Sequence, residues 1–192
     1  MIDTHCHLSY GPLFDQIDAV LQRAQAVGVR HIISIGTRLD DCLRTLDLSR
    51  RFAQVSAAVG IHPHYAAEVS DDELERVAAM FSDPDVIAAG EMGLDYHYDF
   101  SPRQPQRKAF QRQLAAATAS GKPVILHCRE AVDDALAILA DQIIDSLSQP
   151  YTIDNSRVVI GASVGIAIAP DNGVTSEALI RNADTAMYHA KA

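Results

Sequence analysis

Pro123-Val124-Ile125-Leu126-His127-Cys128-Arg129-Glu130 decides how the rest of the chain is read. Val124 to Leu126 predicts a short buried strand, and His127 to Glu130 gives it a polar tip. The chain then runs straight into a helix in which Val132, Leu136, Leu139, Ile143 and Leu147 keep one apolar stripe at three- and four-residue steps. A short apolar strand followed by an amphipathic helix is the repeating unit of a parallel sheet.

Four such units precede it. Met1 to His5, His31 to Gly36, Val55 to Gly60 and Val86 to Gly90 read as strands. Ile17, Val20, Leu21, Ala24 and Val27 predict a helix over Phe14 to Val27, stopped by Gly28. A second helix is predicted over Leu39 to Phe52. Ser70 with Glu73 is a capping box that opens a third, running to about Phe81. Ser101, Pro102 and Gln104 signal the start of a fourth, which ends at Gly121. The expected fold is α/β: a partial TIM-type (βα)5 parallel sheet with right-handed crossovers. The rhythm changes after Leu147. Gln149-Pro150 breaks the helix, and strands Tyr151 to Asp154 and Arg157 to Ala169 are predicted around an Asp154-Asn155-Ser156 turn. A last helix over Ser176 to Lys191 is expected to turn Leu179, Ile180, Ala183, Met187 and Ala190 inward, completing an αββα fragment.

The 192 residues, 48% of them hydrophobic, suffice for one core with an appendage, but fall short of the roughly 250 residues of a full eight-stranded barrel. A net charge of −9 argues against nonspecific attraction to nucleic acid, although bound metal can supply the positive charge that phosphodiester cleavage needs. Three widely spaced cysteines suggest no disulfide framework and a reducing, cytoplasmic setting. No signal-peptide pattern opens the chain, and its longest apolar run, Val158 to Ala169, is too short and glycine-punctuated for a bilayer, so no membrane partner is expected.

The polar tips fall at the C-terminal ends of the strands, where barrels carry their sites. His5 and His7 are two apart, so strand alternation points both to one side, suiting one divalent ion. Glu91 at the fourth tip could bridge two ions, and His127 at the fifth could hold the second. Such a cluster lowers the pKa of bound water and polarises a phosphoryl or carbonyl oxygen. The plain alternative is polar residues where strands meet solvent. Alternation points Cys6 and Cys128 away from the histidines, which predicts core thiols rather than ligands.

Asp3-Thr4-His5-Cys6-His7-Leu8, Gly60-Ile61-His62-Pro63-His64, Gly90-Glu91-Met92-Gly93-Leu94-Asp95-Tyr96 and Leu126-His127-Cys128-Arg129 closely resemble the TatD-type metal-dependent deoxyribonucleases, over about Met1 to Leu139. That resemblance implies a (β/α)8 hydrolase of DNA and other phosphoesters. It implies His5, His7, Glu91 and His127 as ligands of Mg, Mn or Zn, with Glu91 and His127 catalytic. His62, His64 and Arg129 would meet the substrate phosphate, and Tyr96, His97 and Tyr98 would shape the pocket. It also implies a further histidine from a sixth strand and an aspartate from an eighth; neither strand follows as such, and the only later histidine, His189, falls in the last predicted helix.

Leu147-Ser148-Gln149-Pro150, Ala162-Ser163-Val164-Gly165-Ile166-Ala167 and Ala183-Asp184-Thr185-Ala186-Met187-Tyr188-His189-Ala190-Lys191 instead resemble the C-terminal part of a GGDEF diguanylate cyclase domain, over about Ala140 to Ala192. The Gly-Gly-Asp-Glu-Phe signature is absent, which excludes cyclase activity and leaves Asp184 and Tyr188 as packing or capping residues. Two domains, 1–139 and 140–192, are expected to share a core as a chimera joined in mid-helix. The expected function is a TatD-like phosphoester hydrolase with an incomplete metal site and impaired or absent catalysis. The alternatives are a folded non-catalytic chimera and an interaction module, homo-oligomeric through an exposed sheet edge.

Overall fold

In the computed structural model, which describes residues 1–98 and 100–191, all five apolar runs are strands: β1 (Ile2–Cys6), β2 (His31–Ile35), β3 (Val55–Val59), β4 (Val86–Asp95) and β5 (Val124–Arg129). They form one sheet in the order β1-β2-β3-β4-β5, and every neighbouring pair is parallel. Consecutive order without a reversal builds the wall of a (β/α) barrel, whereas a doubly wound sheet changes direction at a switch point. The expected partial TIM-type sheet is what the chain builds. Both faces are apolar, as parallel sheets require. One face carries the row Ile35–Ala58–Ala88 across β2, β3 and β4. On the other, Ile32 and Val55 pack with Ile17, Leu21 and Leu48 from helices α2 (Ile17–Ala26) and α3 (Leu39–Arg51).

The helices depart from expectation where tertiary contacts compete with local signals. The helix predicted over Phe14 to Val27 is α2, shortened at both ends, and a separate turn of helix, α1 (Gly11–Phe14), precedes it. Ser70 does cap α4 (Asp71–Met80) in a reciprocal box with Glu73. Ser101, however, caps nothing. Its hydroxyl donates to His64 O at 2.8 Å and accepts from Ala67 N at 3.0 Å, so α5 (Arg103–Ser120) starts without a side-chain cap.

Strand β4 runs to Asp95 rather than ending at Gly90, because Gly93 allows it to stay alongside β5. At φ +140°, a Cβ on Gly93 would lie 2.0 Å from His127 O. β5 itself is not the buried strand expected. It is the edge of the sheet, so Val124, Leu126 and Cys128 are exposed, while Cys42 is the buried thiol.

The chain divides into two compact units, Met1–Val132 and a second beginning at Asp133. In α6 (Val132–Leu147) the buried residues are Ala135 and Ile138, while Val132, Ile143 and Leu147 are exposed. The helix is amphipathic as expected, but the face that is buried is not its main apolar stripe. The hairpin is present as antiparallel β6 (Tyr151–Ile153) and β7 (Ser156–Val158), turning through Asp154 and Asn155 at φ 47° and 64°. Of the predicted strand over Arg157 to Ala169 only Arg157 and Val158 pair, since Pro150 stops β6 from extending beyond Tyr151 and residues 159–168 have no neighbouring strand among the described residues. That segment instead lies against α7 (Ser176–Ala190), so closely that a Cβ on Gly165 would meet Ala183 O at 1.9 Å. α7 exposes Ile180 and Ala190, contrary to the inward set, and Tyr188 does not pack inward either. Ala192 lies outside the described residues. Among the described residues no helix is long and apolar enough to cross a membrane.

Candidate metal centre

Three strand ends converge on Glu91 of β4. Its Oε2 lies 3.3 Å from His5 Nε2 at the end of β1. Its Oε1 lies 2.9 Å from His127 Nδ1 on β5, and 4.0 Å from His62 Nε2 beyond β3. His5, His7 and Glu91 form one group, and His62, His64 and His127 another, each with donor atoms within 4.8 Å of one another. Asp95 closes the second group from below. Its Oδ2 accepts from His127 Nε2 at 2.9 Å and His64 Nε2 at 3.0 Å, and its Oδ1 from the backbone N–H groups of His97 and Tyr98.

Buried glutamines on α5 hold the two tips in place. Gln113 accepts from Ile61 N and donates to Ile61 O, fixing the residue before His62. One α-helical heptad away on the same face, Gln106 accepts from Asp95 N and donates to Asp95 O. His62 N donates in turn to Thr37 O at the tip of β2.

Charge is distributed unevenly. Burial, reinforced by the neighbouring His127, lowers the His62 pKa to about 4, so this ring is neutral at pH 7. Its Nδ1 accepts from His64 N, which places the ring proton on Nε2. The hydrogen bond to Glu91, aided by the one to Asp95, raises His127 despite its burial. Burial favours the neutral acid of Glu91, yet the His127 hydrogen bond and neighbouring imidazoles hold its carboxyl below the usual range. Asp95 is likewise held well below the carboxylate range, its burial outweighed by backbone and histidine donors.

The donor set fits divalent metal. It mixes imidazole nitrogen with carboxylate oxygen, as Zn and Mn sites do. His7 also shows the orientation of a ligand. Its Nδ1 lies 3.0 Å from the Ile35 carbonyl, to which it donates, leaving the Nε2 lone pair for a cation, and Tyr10 stacks on the ring at 5.1 Å.

A model of the TatD related DNases matches residues 2–151. The chain belongs to this family. The match runs past the expected limit at Leu139 and through α6. An uncharacterized metal-dependent hydrolase of Bacillus subtilis is 32% identical over 142 residues, covering 74% of this chain and 56% of its own. A 3'-5' ssDNA/RNA exonuclease TatD of Klebsiella pneumoniae is 31% identical over 180 residues, covering 92% of this chain and 68% of its own. The crystal structure of a TatD homologue from Escherichia coli K12 superposes with a TM-score of 0.69 at 34% identity, covering 74% of this chain and 56% of that one. The chain thus spans little more than half of the Bacillus protein and of the Escherichia coli structure.

Of the residues singled out in the sequence, His5, His7 and Glu91 meet as one group whose donor atoms could hold a metal ion, with His127 on the other oxygen of Glu91. His62 and His64, expected against substrate phosphate, stand within ligand distance of His127. Arg129 lies outside both groups, its guanidinium 4.7 Å over the Tyr98 ring. Asp95 was missed as a site residue, although it shares a strand face with Glu91 through Gly93 at steps of two. Gln106 and Gln113 carried no signal, since glutamines on an amphipathic helix normally face water.

Proposed function

We propose that this chain is a metal-dependent phosphoester hydrolase of the nuclease type, acting on single-stranded nucleic acid with weak or absent turnover. The reading is carried by Glu91, whose two oxygens face separate histidine groups at 3.3 Å and 2.9 Å. His5, His7, Glu91 and His127 would hold the ion or ions, with Glu91 and His127 central to the chemistry. A bound Mg, Mn or Zn would supply an activated water and polarise the phosphoryl oxygen. Neutral His62, with its N–H on Nε2, together with His64 and Arg129, would contact and orient the phosphate. Single-stranded DNA or RNA is favoured as substrate by the name of the Klebsiella relative. With a net charge of −9, the attraction for phosphate has to come from the metal and from Arg129.

Reduced turnover rests on the donor set. Family resemblance implies a further histidine and aspartate, and among the described residues the only histidine after His127 is His189, on α7. Asp95 does not replace the aspartate, being committed to two histidines and two backbone N–H groups.

For the residues beyond the family match, 152–192, we propose a GGDEF-like, non-catalytic appendage. Two of its motifs meet where Gly165 leaves no room for a Cβ against Ala183 O, which is scaffold packing rather than chemistry. Association through β5 is a second reading, supported by Val124 and Leu126 at 37% and 41% exposure on that edge. Light scattering giving a strict monomer would sink it.

Hydrolysis of bis-p-nitrophenyl phosphate and of single-stranded DNA, with manganese, magnesium or zinc, tests the main reading. Slow metal-dependent turnover, lost in Glu91→Ala, is expected. Turnover that survives Glu91→Ala, or a complete lack of metal-induced thermal shift, would contradict it.

A further inference from the structure

Beside the histidine groups lies an aromatic feature with no role in holding metal or core. Phe100 is 64% exposed and Tyr98 39%, an unusual exposure for two adjacent large rings. They are stacked on each other, with centroids 5.4 Å apart and planes 29° from parallel. Both touch the site: the His64 ring lies 4.8 Å from Phe100 and 5.6 Å from Tyr98, in edge-on contacts. Tyr98 is pinned from the β4 side, its backbone N–H donating to Asp95 at 3.0 Å, and the Arg129 guanidinium lies 4.7 Å over its ring.

Arg129, Tyr98 and Phe100 therefore form a run of flat groups that begins at the strand tip, passes the His64 ring and ends in solvent at Phe100. Flat π-faces combined with a guanidinium are how proteins grip unpaired bases, because every base offers a face whatever its sequence. A protein of strongly negative charge gains little from diffuse attraction to the backbone, so beyond the phosphate contacts at the metal and Arg129 the further grip on a strand has to come from stacking.

We infer that Phe100, supported by Tyr98 and Arg129, is a stacking platform for an unpaired nucleobase next to the phosphate held at the histidine groups. The inference rests on the nucleic-acid reading proposed above and names the part of the strand that this chain grips. It requires single strands, since a base inside a duplex has no free face. It is indifferent to sugar type, because nothing in the platform addresses a 2′-hydroxyl.

Fluorescence anisotropy with manganese tests it, using a labelled phosphorothioate oligothymidylate and an equally long phosphorothioate strand without bases. The wild-type chain is expected to bind the oligothymidylate more tightly. Phe100→Ala should weaken that binding roughly tenfold while leaving the base-free strand unchanged, and Phe100→Trp should restore it. Equal loss for both strands, or no loss for either, overturns the platform while leaving the nucleic-acid reading in place. A wild-type chain that binds neither strand overturns both. If Phe100→Ala abolishes self-association without altering oligonucleotide binding, the rings belong to a contact between copies and the platform is wrong.

Discussion

The five-stranded sheet and the β6–β7 segment follow the same local rules and end in opposite states. Strand β3 has a neighbour on either side, and Ala57, Ala58 and Val59 are completely buried. Among the described residues β7 has only β6 beside it, every residue of both is exposed, and α7 contributes no buried residue. Arg157 to Ala169 is as apolar and alternating as the runs of the first unit, yet only its start becomes a strand. A strand is a relation between two segments of backbone, and an apolar run without a neighbour stays irregular. The same difference separates the sites: the first unit holds polar side chains at fixed distances, whereas the second offers packing such as Gly165 on Ala183.

The contrast predicts unequal costs of truncation. Phe110 is completely buried on α5, and Phe110→Ala should lose about 3–5 kcal/mol in urea unfolding. Tyr188 is 68% exposed, and Tyr188→Ala should stay within about 0.5 kcal/mol. Comparable losses would mean that the second unit has a core of its own. Glycines sharpen the point. Gly93→Ala forces a side chain onto the His127 carbonyl at positive φ and should cost on the order of 2 kcal/mol or more, with weakened metal binding. Gly161→Ala meets open space and should be neutral or slightly stabilising in the same titration.

Without metal, His62 and His127 set a pH signature on the first unit. His62 has a folded pKa of about 4, below the unfolded 6.5. The unfolded chain therefore takes up this proton first, and stability falls as pH drops from about 6.5 towards 4. His127 is shifted the other way, so its contribution is complete below 6.5 and is lost as pH rises through its raised folded value. Together they predict maximal stability near pH 6.5 in EDTA, with an acid-side loss on the order of 1–3 kcal/mol that disappears in His62→Gln. An acid limb unchanged by that substitution would assign the loss to other groups. The smallest effects are at the caps. Ser70→Ala removes a reciprocal box and should cost about 1 kcal/mol, and Thr175→Ala, which removes one bond to Ala178, no more than that.

The sequence made the parallel sheet legible because each strand is a separate apolar run with its polar tip at the same end. His5, His7, Glu91 and His127 were legible for the same reason. What pattern could not show was pairing. The length of β4 depends on Gly93 lying against His127, and with that strand cut short at Gly90, Asp95 falls into a loop and loses its link to Glu91. His62 and His64 join His127 only because β3, β4 and β5 lie side by side. Ser101 has the right spacing for a cap but is drawn away by His64 O and Ala67 N. α6 has the apolar stripe its periodicity shows, yet Val132, Ile143 and Leu147 on that stripe are exposed and burial falls on Ala135 and Ile138.

On the proposed reading, Glu91 joins the two histidine groups into one divalent-metal centre at the strand tips. Calorimetric titration of the metal-free chain with zinc tests it most directly, since it needs no turnover. Binding is expected in the wild type, to fall 10–100-fold or more in Glu91→Ala, and to be unaltered in Tyr188→Ala. Zinc binding that is absent from the wild type, or indifferent to Glu91, would contradict the account.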